Sequence, residues 1–363
     1  MDRNFEQNWS LDQLGNWPGF KERDTDTGST WDLEQVREHN AANEITDLDN
    51  TTGPPWDELQ HDAAGNIRVM PLPVEINAMY IPVYDAWNRL ISSSYEGDRT
   101  YEYDGLGRRI RKMVNATTWD YYYNEDWQLL EERRNGDSDP LAQYVWHPYY
   151  IDALAVRYFD FNLDGDYLDT YDGTQYYLQD ANFNVTAVVD AAGDVLERYQ
   201  YSPYGEVTFL EDDFDVAAAQ HASAIGNTHL YTGRERDSET GLQLNRHRYY
   251  ASHLGRWVNR DPMGYYGSPW NLVEYVASDP VLYVDPDALR RRQVIIHPSP
   301  SDDPFERGLA GRANRKGRGW ENIECDSVKE CADRMKGQPG DCISKLEIGG
   351  HGLSLHFRRT GLF

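Results

Sequence analysis

The sequence is poor in cysteine, in positive charge and in long apolar runs, and each shortage excludes something. Only Cys325, Cys331 and Cys342 occur, all near the C-terminus. Their spacing fits no zinc pattern, and an odd count leaves at least one thiol without an intrachain partner. One disulfide or three reduced thiols both fit. With 35 basic against 61 acidic residues the formal charge is −26, which argues against nucleic acid or an anionic membrane as partner of the whole chain. No window approaches ~18 uninterrupted apolar residues, so no segment is expected to span a membrane. The first residues, MDRNFEQNWSLDQLGNW, lack the basic-then-apolar pattern of an export signal.

Aromatic residues are plentiful: 26 Tyr and 11 Trp, at a mean hydropathy of −0.78. Aromatics without a matching excess of aliphatics suit half-exposed strands. Charge is split unevenly. Residues 290–363 hold 14 Lys+Arg and 10 Asp+Glu, a net of +4, which leaves −30 for residues 1–289.

A short pattern recurs along the acidic part. LDQLGNW (11–17), HDAAGNIRV (61–69), YDAWNRLI (84–91), YDGLGRRI (103–110) and VDAAGDVL (189–196) each place an Asp three residues before Gly or Asn. Asp caps turns through its side chain, and Gly and Asn tolerate positive φ, so each is read as a hairpin turn of about four residues. DANFNVT (180–186) departs from the pattern, with Phe183 at the fourth position. Stacked hairpins bury one face only against their neighbours, which predicts a continuous antiparallel sheet. Little reads as helix. The stretch TWDLEQVREHNAANEI (30–45) has a helical opening followed by a turn into a strand.

These YD-x-x-GR turns, with YQYSPYGEV (199–207), YTGRERDSETGLQLNRHRYYASHLGRWVNRDPMG (231–264) and NLVEYVASDPVLYVDPDAL (271–289), resemble Rhs/YD-repeat proteins and their repeat-associated core. The resemblance implies YD-type hairpin repeats over 1–174, a core plug over 175–289 and a variable tip over 290–363. It implies a mainly β fold, part of a β-spiral shell, with a small α/β segment at the C-terminus. Such shells enclose a C-terminal effector, often a toxin, as cargo. An immunity protein as partner and a secreted or cell-surface location follow from the same resemblance. A chain opening in mid-repeat is expected to be the tail of a longer shell.

Two Asp-Pro pairs bracket the end of the core, at Asp261 and Asp285. Asp-Pro pairs also serve as plain loop punctuation, since Pro fixes φ and ends strands; on that reading the chain is a non-catalytic surface repeat protein. Rhs cores and the C component of insecticidal toxin complexes, which this segment resembles, carry Asp-Pro-x-Gly near each end and cleave themselves after a Leu that follows the second. Carried over, the first motif is Asp261-Pro262-Met263-Gly264 and the second is Asp285-Pro286-Asp287-Ala288, with cleavage between Leu289 and Arg290. Two carboxylates held together can act as acid and base. Arg260 is the candidate for holding the second carboxylate ionised or steadying the oxyanion. Ala288 replaces Gly, which would be strained if the position requires positive φ.

In the basic tip, QVIIHP and SKLEIGGHG are expected as parallel strands around a helix at 325–335. LEIGGHG resembles the histidine strand of caspase-like cysteine peptidases, which would make His351 a general base. No cysteine follows it to supply the nucleophile, so the resemblance implies at most a degenerate peptidase. Upstream, DFNLDGDYLDTYDG (160–173) sets Asp160, Asn162, Asp164 and Asp166 at the alternate spacing of a calcium loop. Tyr171 stands where the bidentate Glu belongs, and a polar hairpin tip explains the string equally. No other cofactor is expected.

Overall fold

A computed structural model describes residues 5–24, 30–56, 59–72, 75–94, 98–148, 150–160, 173–212, 214–217 and 222–289. In the C-terminal part it describes four strands, Gln293–Ile296, Trp320–Cys325, Ile343–Ile348 and Leu353–Arg359. Nearly all the regular structure is β. Phe5–Ser10, Gly19–Asp24, Leu33–His39 and Ile45–Thr52 form a four-stranded antiparallel sheet. A second sheet runs from Gln60–His61 to Val207–Leu210 as fourteen antiparallel strands in unbroken chain order. It passes residue 174 without interruption, so the boundary drawn there from motif content is not a break in the sheet. A third sheet of four short strands, Glu235–Arg236 to Arg256–Trp257, is the heart of the plug. No helix among the described residues is long and apolar enough to cross a membrane.

The repeat turns share one geometry. Asp104 Oδ1 accepts the backbone N–H groups of Leu106 and Arg108, both at 2.9 Å, while Gly107 takes φ 89°. Asp12, Asp62, Asp85, Asp180 and Asp190 do the same. The Arg of YD-x-x-GR closes the turn from outside, with Arg108 Nε donating to Asp104 Oδ2 at 2.7 Å. The Tyr of the motif serves the preceding turn. Tyr84, Tyr103 and Tyr123 donate their hydroxyls to the carbonyls of Ile67, Leu90 and Arg109, at 3.0, 2.7 and 3.0 Å. Each repeat therefore satisfies a carbonyl that its predecessor leaves open, which fixes the stacking order as well as the turn.

Two departures from expectation have clear causes. The segment read as a helical opening is the strand Leu33–His39. Its inward positions include Gln35 and Arg37 and its outward ones Val36, so the hydrophobic alternation is inverted and the period of two is hidden. Phe183 occupies the left-handed position of its turn at φ 63°, and its buried ring lies flat on Tyr150, centroids 3.7 Å apart. That packing offsets the backbone cost.

The plug sits against both large sheets. Leu242, Leu244, Tyr249, Ala251, Leu254 and Val258 share a core with wall residues from Ile45 to Tyr101. On its other side Tyr250, Trp257, Tyr275 and Ala288 pack with Trp17, Phe20 and Tyr204. Buried charge joins plug to wall as well. Arg109 donates to Asp237 Oδ2 at 2.7 Å and also pairs with Glu235, while Lys112 reaches Asp237 Oδ1 at 3.1 Å. In the tip, Gln293–Ile296 and Ile343–Ile348 pair in parallel, as expected. The helix expected at 325–335 falls almost wholly outside the described residues.

Candidate functional site

The segment Gln243–Ala251 makes a tight hairpin, with Arg246 at φ 50° between its two short strands. The reversal lets four consecutive side chains face one loop. Asn245 Nδ2 donates to the Asp285 carbonyl at 3.2 Å, and Arg246 Nη1 to the Pro286 carbonyl. His247 Nδ1 is 2.9 Å from the Asp287 carbonyl, and Arg248 Nε donates to that of Ala288. A carbonyl only accepts, so His247 carries its hydrogen on Nδ1. The second Asp-Pro loop is thus held carbonyl by carbonyl up to the residue before Leu289.

Arg248 also joins the two aspartates. Its Nη2 lies 3.4 Å from Asp261 Oδ2 and 3.7 Å from Asp285 Oδ2, and all three side chains are buried. Burial pulls the guanidinium down to about 10 against the pull of both carboxylates, which leaves it charged at neutral pH. Asp261 is fixed further by the Met263 backbone N–H on Oδ1 at 2.8 Å and by Ser268 Oγ on Oδ2 at 3.0 Å. Asp285 Oδ1 accepts the Leu289 N–H at 3.2 Å.

Gly267 completes the arrangement. A Cβ built on it would lie 2.5 Å from Asp261 Oδ2 and 2.6 Å from the Leu289 carbonyl oxygen. Carboxylate and carbonyl therefore both border one Cβ-sized volume. A cleft of about 410 Å³, lined by Gly267, Ser268, Trp270, Glu274 and Asp285 among others, opens on the Asp285 side of the pair.

Ala288 is fully buried at φ 56°, so the position does take the left-handed conformation that suits glycine. Arg260 does not serve the aspartates. Its side chain crosses Gly65 and pairs with Glu44 Oε1 at 2.5 Å, on the wall. Neighbours in an extended chain point to opposite sides, so adjacency to Asp261 carries Arg260 away from the site. Arg248 lies between the aspartates instead, and its signal was its place opposite the second Asp-Pro loop, which sequence spacing does not reveal. Asp160 is buried; its companions in the calcium-loop string, Asn162, Asp164 and Asp166, lie outside the described residues, as do His351 and Arg290.

An RHS Repeat family model matches residues 84–120, which contain the Asp85 and Asp104 turns. The chain is 28% identical over 214 residues to the tRNA3(Ser)-specific nuclease WapA of Bacillus spizizenii, covering 56% of this chain and 8% of that protein. It is 26% identical over 290 residues to the probable deoxyribonuclease RhsA of Dickeya dadantii, covering 70% of this chain and 20% of the other. Toxin subunit YenC2 of Yersinia entomophaga is 36% identical over 101 residues, 28% of this chain and 10% of that one. A chain in the crystal structure of TcdB2-TccC3 aligns with a TM-score of 0.45 at 17% identity, covering 79% of this chain and 19% of that chain. The chain spans a fifth or less of the length of these curated relatives. With the RHS Repeat match at the Asp85 and Asp104 turns and consecutive hairpins joined into a fourteen-stranded sheet, this chain is an Rhs/YD-repeat protein.

Proposed function

We propose that the chain forms part of a toxin shell whose plug cuts its own backbone between Leu289 and Arg290, freeing the segment from residue 290 as cargo. The observation that carries this reading is the meeting of Asp261 and Asp285 on one nitrogen of Arg248, with the Leu289 carbonyl beside Asp261. Two buried carboxylates meet on one guanidinium, and carboxylates held together in this way can divide the roles of acid and base. Asp285, on the cleft, takes a proton from water as the hydroxide adds to the Leu289 carbonyl carbon. Asp261 gives its proton to the Arg290 nitrogen as the C–N bond opens. The products are a carboxyl group on Leu289 and an amine on Arg290. Arg248 stays against both carboxylates throughout.

Relatives named as nucleases and toxins support an effector role for the freed segment. That role implies a location outside the producing cell and a partner that neutralises the effector inside it. A net charge of −30 on residues 1–289 and of +4 on residues 290–363 also favours holding the cargo after the cut. The test is the intact mass of purified full chain: a fragment beginning Arg290-Arg291-Arg292 for the natural sequence, and an uncut chain for Asp261→Asn and for Asp285→Asn. A natural chain that stays whole overturns the reading.

A further inference from the structure

Two rungs of the carbonyl ladder continue beyond the plug into the wall. Arg246 gives Nη1 to the Pro286 carbonyl and Nη2 to Asp152 Oδ1, the latter at 2.6 Å. His247, on the Asp287 carbonyl, packs its ring on Trp127, centroids 4.8 Å apart. Both wall residues come from repeat turns and links. Asp152 lies between the strands Ala142–Trp146 and Leu154–Phe159, and Trp127 is the left-handed residue, φ 64°, of the turn before Leu129–Arg134. Asp152 is fully buried, and Arg234 of the plug takes its Oδ1 at 2.8 Å. Its carbonyl sits 2.1 Å from where a Cβ on Gly233 would be, so plug and wall meet here without slack.

We infer that Asp152 and Trp127 are positioning residues for self-cleavage, acting through Arg246 and His247 on the loop that presents the Leu289 bond. The plug then does not hold that bond correctly by itself. Its geometry is completed from the wall, so the cut follows the docking of this stretch of repeats and the cargo stays attached until that stretch is in place. The inference rests on the self-cleavage reading above.

The test uses the full chain, following the fraction cut against time by intact mass, with a melting curve for each variant. Asp152→Asn, Trp127→Ala and His247→Ala should each slow the cut about tenfold or more, because small misplacements of reacting groups carry large rate penalties. His247→Gln, which restores a side-chain donor to the Asp287 carbonyl, should recover rate relative to His247→Ala. Asp237→Asn loosens the same plug through Arg109, which makes no bond to the Asp285–Leu289 loop, and should slow the cut less than Trp127→Ala or His247→Ala does. If Asp152→Asn fails to fold, Trp127→Ala and His247→Ala carry the test. Natural rates in these variants, no recovery in His247→Gln, or an equal slowing in Asp237→Asn would overturn the positioning role. A natural chain that is never cut removes the self-cleavage reading itself, a separate and distinguishable result.

Discussion

The Asp261 carboxylate and the Leu289 carbonyl both border the space that any side chain on Gly267 would fill. Gly267 has φ −84°, which every residue adopts, so its lack of a side chain is a matter of space alone. Gly267→Ala is therefore expected to abolish or strongly slow the cut and, by crowding a backbone carbonyl and a buried carboxylate, to lower the melting temperature as well. Intact mass and a thermal melt on the same sample check both halves. Unimpaired cutting would separate Asp261 from the reaction.

Ala288→Gly should act in the opposite sense. Relieving a buried alanine at φ 56° is expected to stabilise the plug by about 1 kcal/mol and to leave the cut as fast or faster. The stability change is best measured in an Asp261→Asn background, where the chain stays whole.

The Arg109 cluster is the expected weak point of plug attachment. Burial pushes Asp237 up, but Arg109 and Lys112 outweigh it and hold the carboxyl at about 2. Arg109→Met would leave Asp237 and Glu235 buried with one cation fewer, a loss of about 3–5 kcal/mol. Chemical denaturation with tryptophan fluorescence as the signal reads it directly. A change below about 1 kcal/mol would show that the seam is not closed as described.

Acid should loosen the fold through histidines. Burial pulls His229 down to about 3, with Arg234 and Arg157 adding to the effect, and burial with Arg37 does the same to His253. Both stay neutral when folded, whereas an unfolded chain protonates them below about 6.5. The unfolded state then binds more protons from about pH 6.5 down to the depressed values, so stability is full above that window and is lost as pH falls through it. Melting temperature should drop between pH 7 and pH 5, and His253→Phe should flatten the drop.

Much of the wall was legible because its grammar is local. Asp at the first position and Gly or Asn at the fourth is a statement about one turn, and the turns at Asp12, Asp62, Asp85, Asp104 and Asp190 form where it occurs. Trp127 and Phe183 escaped it because an aromatic residue in the left-handed region is supported by packing on His247 and Tyr150, contacts with partners far away in sequence. Leu33–His39 escaped because its inward face carries buried Gln35 and Arg37. The aspartates of the site were marked by the family resemblance of their motifs and not by proline alone, since Asp-Pro also occurs at Asp139, Asp279 and Asp303. The cation between them was not, since Arg248 reaches them only after the hairpin at Arg246 turns it towards the loop.

The central claim concerns one bond, and intact mass of freshly purified protein addresses it most directly. The account predicts two species separated between Leu289 and Arg290 in the natural chain, and a single full-length species when Asp285 is changed to Asn. One full-length mass in both samples, or an identical cut in both, would contradict it.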